Sequence, residues 1–207
     1  MSYTLNTEAA KQADNKFSKI DASGKYLGVI TRAEKVTSDK GTKGIDFSFK
    51  SEDGEQADYL SLWTHNKEGK ELQGFKTLMA LMTCLKLKTL ESTRGEVEKY
   101  NGVSQQREKV SVDLFQTMMN TPIGLLIQIE EQEYNNKIQR KTNIYAPFTA
   151  EGFTATEVLD RASKPEKLEK MLAGLKDKLL TNKPAQQSQQ SSSGAPASPF
   201  DDSDIPF

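Results

Sequence analysis

The sequence GKYLGVITR at residues 24–32, taken with IDFSFK at 45–50 and ADYLSLW at 57–63, decides the fold class. Successive side chains on a strand point to opposite faces, so apolar residues at every second position mark one buried face. In the third piece Leu60 and Leu62 share one face, and Tyr59, Ser61 and Trp63 share the other. Residues 37–44, between the first two pieces, hold Gly41 and Gly44 with Lys40, Thr42 and Lys43, which reads as a long basic hairpin tip. Glu52, Asp53 and Gly54 make a tight turn into the third piece. The three together predict an antiparallel meander.

Downstream the period changes from two to 3.6. Leu72, Phe75, Met79 and Met82 recur at steps of three and four, with Leu78, Leu81 and Leu85 widening the stripe, and this spacing predicts a buried helix. The polar stretch 88–109 reads as an interruption, and a short amphipathic turn around Leu114, Phe115 and Met118 leads to Pro122. IGLLIQIEEQE at 123–133 and IQRKTNIY at 138–145 then predict a second hairpin turning at Asn135 and Asn136. Three strands, a helix and two strands is the order of the OB-fold, a five-stranded, partly open barrel that binds oligonucleotides on its strand-2 and strand-3 face. The expected fold is therefore mainly β, a five-stranded OB-fold-like barrel with one internal helix.

Beyond the barrel, Thr154 with Glu157 and Ser163 with Glu166 have capping-box spacing. Leu168, Leu172, Leu175 and Leu179 form one helical stripe. That predicts a short helical C-terminal appendix docked on the barrel, with a dimer contact as the second reading and a homo-oligomer left open. In NKPAQQSQQSSSGAPASPF, residues 182–200, Phe200 is the only bulky apolar residue. Such a stretch cannot offset its ordering entropy by burial and is expected to be a disordered linker. The expected division is 1–150 for the OB-like domain with an N-terminal extension, 151–180 for the appendix, 181–200 for the linker and 201–207 for an acidic tip.

Composition agrees with a chain that folds only in part: 35% of the 207 residues are apolar and 28% are charged, with a mean hydropathy of -0.66, against about 45–50% apolar for an ordinary domain. No apolar run reaches the roughly 18–20 residues of a membrane span, and the first residues lack the basic-then-apolar order of a signal peptide. A cytoplasmic protein without membrane contact is expected. The single cysteine, Cys84, excludes an intrachain disulfide and a multi-thiolate zinc site, and the single histidine, His65, excludes His-rich metal clusters. No metal and no cofactor are expected.

The sequence ends Asp201, Asp202, Ser203, Asp204, Ile205, Pro206, Phe207. This resembles the C-terminal tip of bacterial single-stranded DNA-binding protein (SSB), in which acids precede Ile-Pro-Phe, although Ser203 interrupts the acidic run. The resemblance covers fewer than ten residues, and the front half shows no close match to the SSB pattern. It implies a divergent SSB, encoded by a bacteriophage or mobile element, that binds and protects single-stranded DNA in replication, recombination and repair without catalysis. It also implies recruitment of partner enzymes through Asp201, Asp202, Asp204, Ile205, Pro206 and Phe207. The chemistry suits that use: the Phe207 ring can fill an apolar pocket, its carboxylate can pair with Arg or Lys, and Pro206 limits the entropy lost on binding. A single-strand annealing protein, and an adaptor that captures host replication proteins without binding DNA, are the rival functions.

The net charge of -1 hides a polarity, because residues 181–207 carry -2 by side chains and leave the body at +1. A body so nearly neutral needs a local groove in which cations track phosphates and aromatic rings stack on bases, at about 1–3 kcal/mol per base. If Leu27, Val29, Ile45, Phe47, Phe49, Leu60 and Leu62 fill the barrel, strand parity turns Tyr26, Arg32, Lys50, Tyr59 and Trp63 outward onto a shared surface. Lys137, Lys141 and Tyr145 on the last strand, and Lys40 and Lys43 in the first hairpin, would rim it. Packing beneath a loop is the plain alternative for the aromatics, and a solvated face for the lysines. Other constellations are weaker: Glu130, Glu131 and Glu133 lack the partners of a nuclease site, and residues 41–44 are too short for a phosphate loop. His65 reads as a solvent-facing turn residue and Cys84 as a packing residue.

Overall fold

A computed structural model of the chain describes residues 18–180, apart from positions 103 and 135. The N-terminal extension before residue 18, Asn135, the linker and the acidic tip lie outside the described residues.

The meander forms as β1 (Gly24–Thr37), β2 (Lys43–Ser51) and β3 (Gln56–His65). Its strands run further than the alternation suggested, so the first hairpin tip shrinks to residues 38–42, closed by the Gly41 N–H donating to the Ser38 carbonyl at 2.8 Å. After α1 (Gln73–Cys84) the polar stretch is no interruption. It forms a hairpin of its own, β4 (Thr93–Asn101) and β5 (Gln106–Leu114). A 3-10 turn over Gln116–Met118 buries Met118 and leads into the hairpin of β6 (Pro122–Tyr134) and β7 (Lys137–Phe148). Seven strands thus replace the expected five, all antiparallel, in the order β3-β2-β1-β5-β4, with β6 on β1 and β7 on β6. The sheet is open, since no ladder joins β3 to β7 among the described residues.

β1 organises the sheet because its two halves serve different neighbours. Its first half pairs with β6 from Gly24 opposite Ile127 to Val29 opposite Pro122, whereas the second half meets β5 only at Glu34 opposite Leu114. Against β2 the register slips between Ile30 and Arg32. That bulge reverses the alternation. Before it, Tyr26 and Ile30 face the core; after it, Ala33 faces the core and Arg32 faces out. The parity that put Tyr26 and Arg32 on one outward face therefore fails, and Leu27 packs in a second cluster beyond the sheet.

The main core joins Ile30, Phe47, Phe49 and Leu60 to Leu81 of α1 and to Ile123, Leu125, Ile127 and Ile129 of β6. The helical stripe is centred on Leu78, Leu81 and Cys84, which leaves Met79 exposed. On the other face of β6, Leu126 packs with Phe148 and with Leu168 of α3 (Lys167–Gly174), which explains the unbroken apolar run IGLLI: both faces are buried. Gly124 is required there, since a Cβ would stand 2.0 Å from the Phe148 ring.

The appendix consists of α2 (Ala155–Leu159) and α3. The Thr154–Glu157 capping box is present, but the one expected at Ser163 and Glu166 is not. Glu157 takes its place. The N–H groups of Glu166 and Lys167 donate to Glu157 Oε1 at 2.7 and 2.8 Å, while its Oε2 accepts from the Thr154 N–H and hydroxyl, both at 2.9 Å. Burial by itself would raise this carboxyl, yet the hydrogen bonds outweigh it and hold the pKa down to about 2. One carboxylate thus ties both helices together. α3 stops at Gly174, so Leu179 leaves the stripe and is exposed.

Candidate functional site

The outward face of the meander is a small grid. β1 contributes Arg32, Glu34 and Val36, β2 contributes Ser48, Asp46 and Gly44 opposite them, and β3 contributes Ser61 opposite Asp46 and Trp63 opposite Gly44. The β4–β5 hairpin supplies a second wall through Val97, Glu98, Lys99, Tyr100 and Arg107, enclosing a cleft of about 460 Å³ between itself and the grid.

The floor of this cleft is charged and internally satisfied. Arg32 donates to Asp46 Oδ2 at 2.6 Å, to Glu34 Oε2 at 2.9 Å and to Ser48 Oγ at 3.2 Å. Lys99 Nζ reaches Glu34 Oε1 at 2.6 Å, and the Ser61 hydroxyl donates to Asp46 Oδ1 at 2.7 Å. Both carboxylates are buried, so the network neutralises charges that would be costly alone. It also pins the hairpin to the sheet. Arg32 is consequently not a free phosphate ligand; its guanidinium is held 5.7 Å from the centre of the Tyr59 ring.

Tyr59 stands apart from every other aromatic in the grid. The β2–β3 register passes from Phe49 opposite Ala57 to Phe47 opposite Leu60, leaving Asp58 and Tyr59 to share the space across from Ser48. Tyr59 takes φ +59° at this bulge, a left-handed conformation that costs an L-residue about 1–2 kcal/mol. The result is a ring 72% exposed. Tyr59 and Asp58 also border a second crevice of about 270 Å³, with Lys19 on one side and Gln139, Arg140, Lys141 and Thr142 of β7 on the other. The two spaces share Tyr59 and Asp58 as walls, so the surface around Tyr59 offers a two-part groove, lined by the β4–β5 hairpin in one part and by β7 in the other.

Of the residues expected at a binding surface, Arg32, Tyr59 and Lys141 line this groove. Tyr26 does not. It packs against the core, its hydroxyl donates to the Ala22 carbonyl at 2.9 Å, and burial followed by Glu55, Asp21 and Asp177 raises its pKa. Trp63 lies on the outward face but half-buried across Gly44, where a Cβ would come within 2.9 Å of the indole. Lys40, Lys43, Lys50, Lys137 and Tyr145 are exposed outside both spaces. Sequence reasoning missed Lys19, Lys99, Tyr100 and Arg107. The alternation of Val110, Val112 and Leu114 was the available signal for the hairpin that carries three of them.

The remaining polar candidates have structural partners. Glu130 accepts from Asn143 Nδ2 at 3.0 Å, and Glu131 accepts from Arg140 at 3.2 Å and from the Leu180 N–H at 3.2 Å. His65 is half-buried, its ring meeting Phe75 edge-on at 5.1 Å. Cys84 is buried, and burial pushes its thiol up to about 12, which leaves it unreactive. Among the described residues no helix is long and apolar enough to cross a membrane. No protein-family model matches the chain, and no curated protein matches it.

Proposed function

We propose that this protein binds and protects single-stranded DNA without catalysis, holding the strand in the groove that passes Tyr59, while the acidic end of the chain recruits replication, recombination and repair enzymes. The observation that carries the reading is Tyr59 itself: a bulky, largely exposed side chain, in a strained backbone conformation, bordering two spaces of which one is lined by Tyr100 and Arg107 and the other by Lys19 and Lys141. Strain at an exposed aromatic needs a use, and base stacking supplies one. The order of ladders, β3-β2-β1 and β1-β6-β7 with β3 and β7 bordering a shared crevice, is what an OB-like barrel with an inserted hairpin would have, and it would put the groove on the strand-2 and strand-3 face. The tip residues Asp201 to Phe207 and a bacteriophage setting in a bacterial cytoplasm belong to the same proposal and rest on the sequence resemblance.

The adaptor reading has one observation in its favour, the internal pairing of Arg32 and Lys99 with carboxylates, which lowers the charge available to phosphate. Fluorescence anisotropy with a labelled single strand and a blunt duplex decides between them. Tighter binding of the single strand, weakened by about 1–3 kcal/mol in Tyr59→Ala at unchanged Tm, is expected. Absence of single-strand binding at low salt leaves the adaptor. A strand-annealing assay on the same protein tests the annealing function.

A further inference from the structure

Two consecutive residues of β3 point the same way. A regular strand would send Asp58 and Tyr59 to opposite faces, but Ala57 and Leu60 are both core residues, each 1% exposed, and the bulge fits two outward residues between them. Asp58 and Tyr59 are accordingly both exposed and border the same three crevices. Arg32 stands over one face of the Tyr59 ring, which leaves the other face for a base. The Asp58 carboxylate has no hydrogen bond and no ion pair among the described residues, although Lys19 and Lys141 line one of its crevices and Arg107 lines the cleft. A stacking ring thus has an uncommitted acceptor as its immediate neighbour.

We propose that Asp58 makes the groove selective for guanine, the base stacked on Tyr59 being held by its Watson–Crick edge on the Asp58 carboxylate. The proposal rests on the single-strand reading above and names the base which that site prefers. An ionised carboxylate only accepts, through two oxygens side by side. Guanine is the one DNA base that sets two donors next to each other, its N1–H and its N2 amino group, so it alone can give both oxygens parallel charge-assisted hydrogen bonds. In thymine the N3–H lies between two carbonyls, and in adenine and cytosine the amino group adjoins a ring nitrogen acceptor. Each of these brings a lone pair against the carboxylate. Within a duplex the two guanine donors are already used on cytosine and the ring is stacked, so this contact is open only to an unpaired base. The cations in the same spaces attract phosphate whatever the sequence, and Asp58 adds the choice of base.

The test compares three fluorescein-labelled oligomers of about 15 nucleotides by anisotropy at low salt. One is thymidine throughout, one has deoxyguanosine at every third position, and one has deoxyinosine there instead. Inosine keeps the guanine ring system and its N1–H but lacks the N2 amino group, so stacking is nearly matched and one hydrogen bond is removed. One charge-assisted hydrogen bond at a site open to water is worth several-fold, and the unsubstituted protein is expected to bind the guanine oligomer about fivefold more tightly than the inosine oligomer. In Asp58→Ala and Asp58→Asn, at unchanged Tm, that ratio should fall to within about twofold. Removing a negative charge strengthens binding of all three oligomers alike, and the ratio cancels it. Thymidine-oligomer binding with no preference for guanine over inosine overturns the selection and leaves the single-strand reading standing. A preference that survives in both variants assigns the base contact to another group and overturns the proposal equally. If none of the oligomers binds the unsubstituted protein, the underlying reading falls and the selection falls with it.

Discussion

The two long hairpins outside the meander have similar ladders and opposite jobs. β6–β7 contributes Ile123, Leu125, Ile127 and Ile129 to the main core, places Leu126 and Phe148 under α3, and pairs with β1 over six residues. Among the described residues, β4–β5 buries only Val112 and Leu114, at its root, and pairs with β1 through a single register pair. What holds its middle in place is polar, Lys99 to Glu34. The first hairpin is structural because its burial cannot be replaced; the second is a wall, free to carry exposed Tyr100 and Arg107 because little packing depends on them.

The largest effect expected from breaking this comparison is on the packed hairpin. Phe148→Ala removes a fully buried ring facing Gly124 and should cost about 3–5 kcal/mol in urea unfolding, enough to leave the protein marginal. On the exposed hairpin the opposite surgery should be tolerated. Gly95 and Val112 are register partners, so replacing residues 96–111 by Asn-Gly joins ends that already adjoin. Unfolding free energy should fall by only about 1–3 kcal/mol, the cost of taking Lys99 from Glu34 while Arg32 still pairs with it, whereas affinity for a single strand should fall about tenfold or more if the wall carries a stacking ring. A collapse in stability would show that β4–β5 belongs to the fold after all.

The cover on β6–β7 gives a sharper test, through pH. The Glu157 pKa is lowered to about 2 from an unfolded value near 4.3, so its stabilisation is complete above about pH 5 and is lost as pH falls toward 2. Glu157→Gln should lower stability at neutral pH by about 1–3 kcal/mol, between the worth of one cap and that of a shift of roughly two pKa units, and should flatten the acid limb of a Tm-against-pH profile between pH 5 and 2. The smallest effect belongs to Val110→Ala on the exposed ladder, opposite Val97, where less than about 0.5 kcal/mol is expected from chemical denaturation. A larger loss would mean that the hairpin packs more tightly than its exposure indicates.

The same contrast explains what could be read ahead. β1, β2, β3, α1 and β7 present one face to the core, and one-sided burial writes a period into the sequence, Leu60 and Leu62 at two, Leu78 and Leu81 at three, while β6, buried on both faces, shows as an unbroken apolar run. β4–β5 is wet on both faces for most of its length, so its polar residues alternate with polar residues and the period is lost. Only Val110, Val112 and Leu114 keep it. The groove was legible in part for a related reason. Outward parity found Tyr59 and Arg32, but the bulge after Ile30 inverted Tyr26, and nothing local announces an extra residue between two well-formed strand halves.

The sequence by itself determined the three-strand meander, the helix after it and the last hairpin, the membership of the core in β2 and β3, the Thr154 cap and the polarity of charge between body and tail, because each depends on neighbours a few residues away. Tertiary structure decided the rest. It set Glu34 and Lys99, 65 positions apart, at 2.6 Å, spent the Arg32 charge on Asp46, and brought Lys141 and Lys19 to the same crevice as Tyr59. These are contacts between side chains whose local sequences carry no mark of one another. Ladder registers and bulges place them, and a one-residue shift in either would reverse which side chains meet.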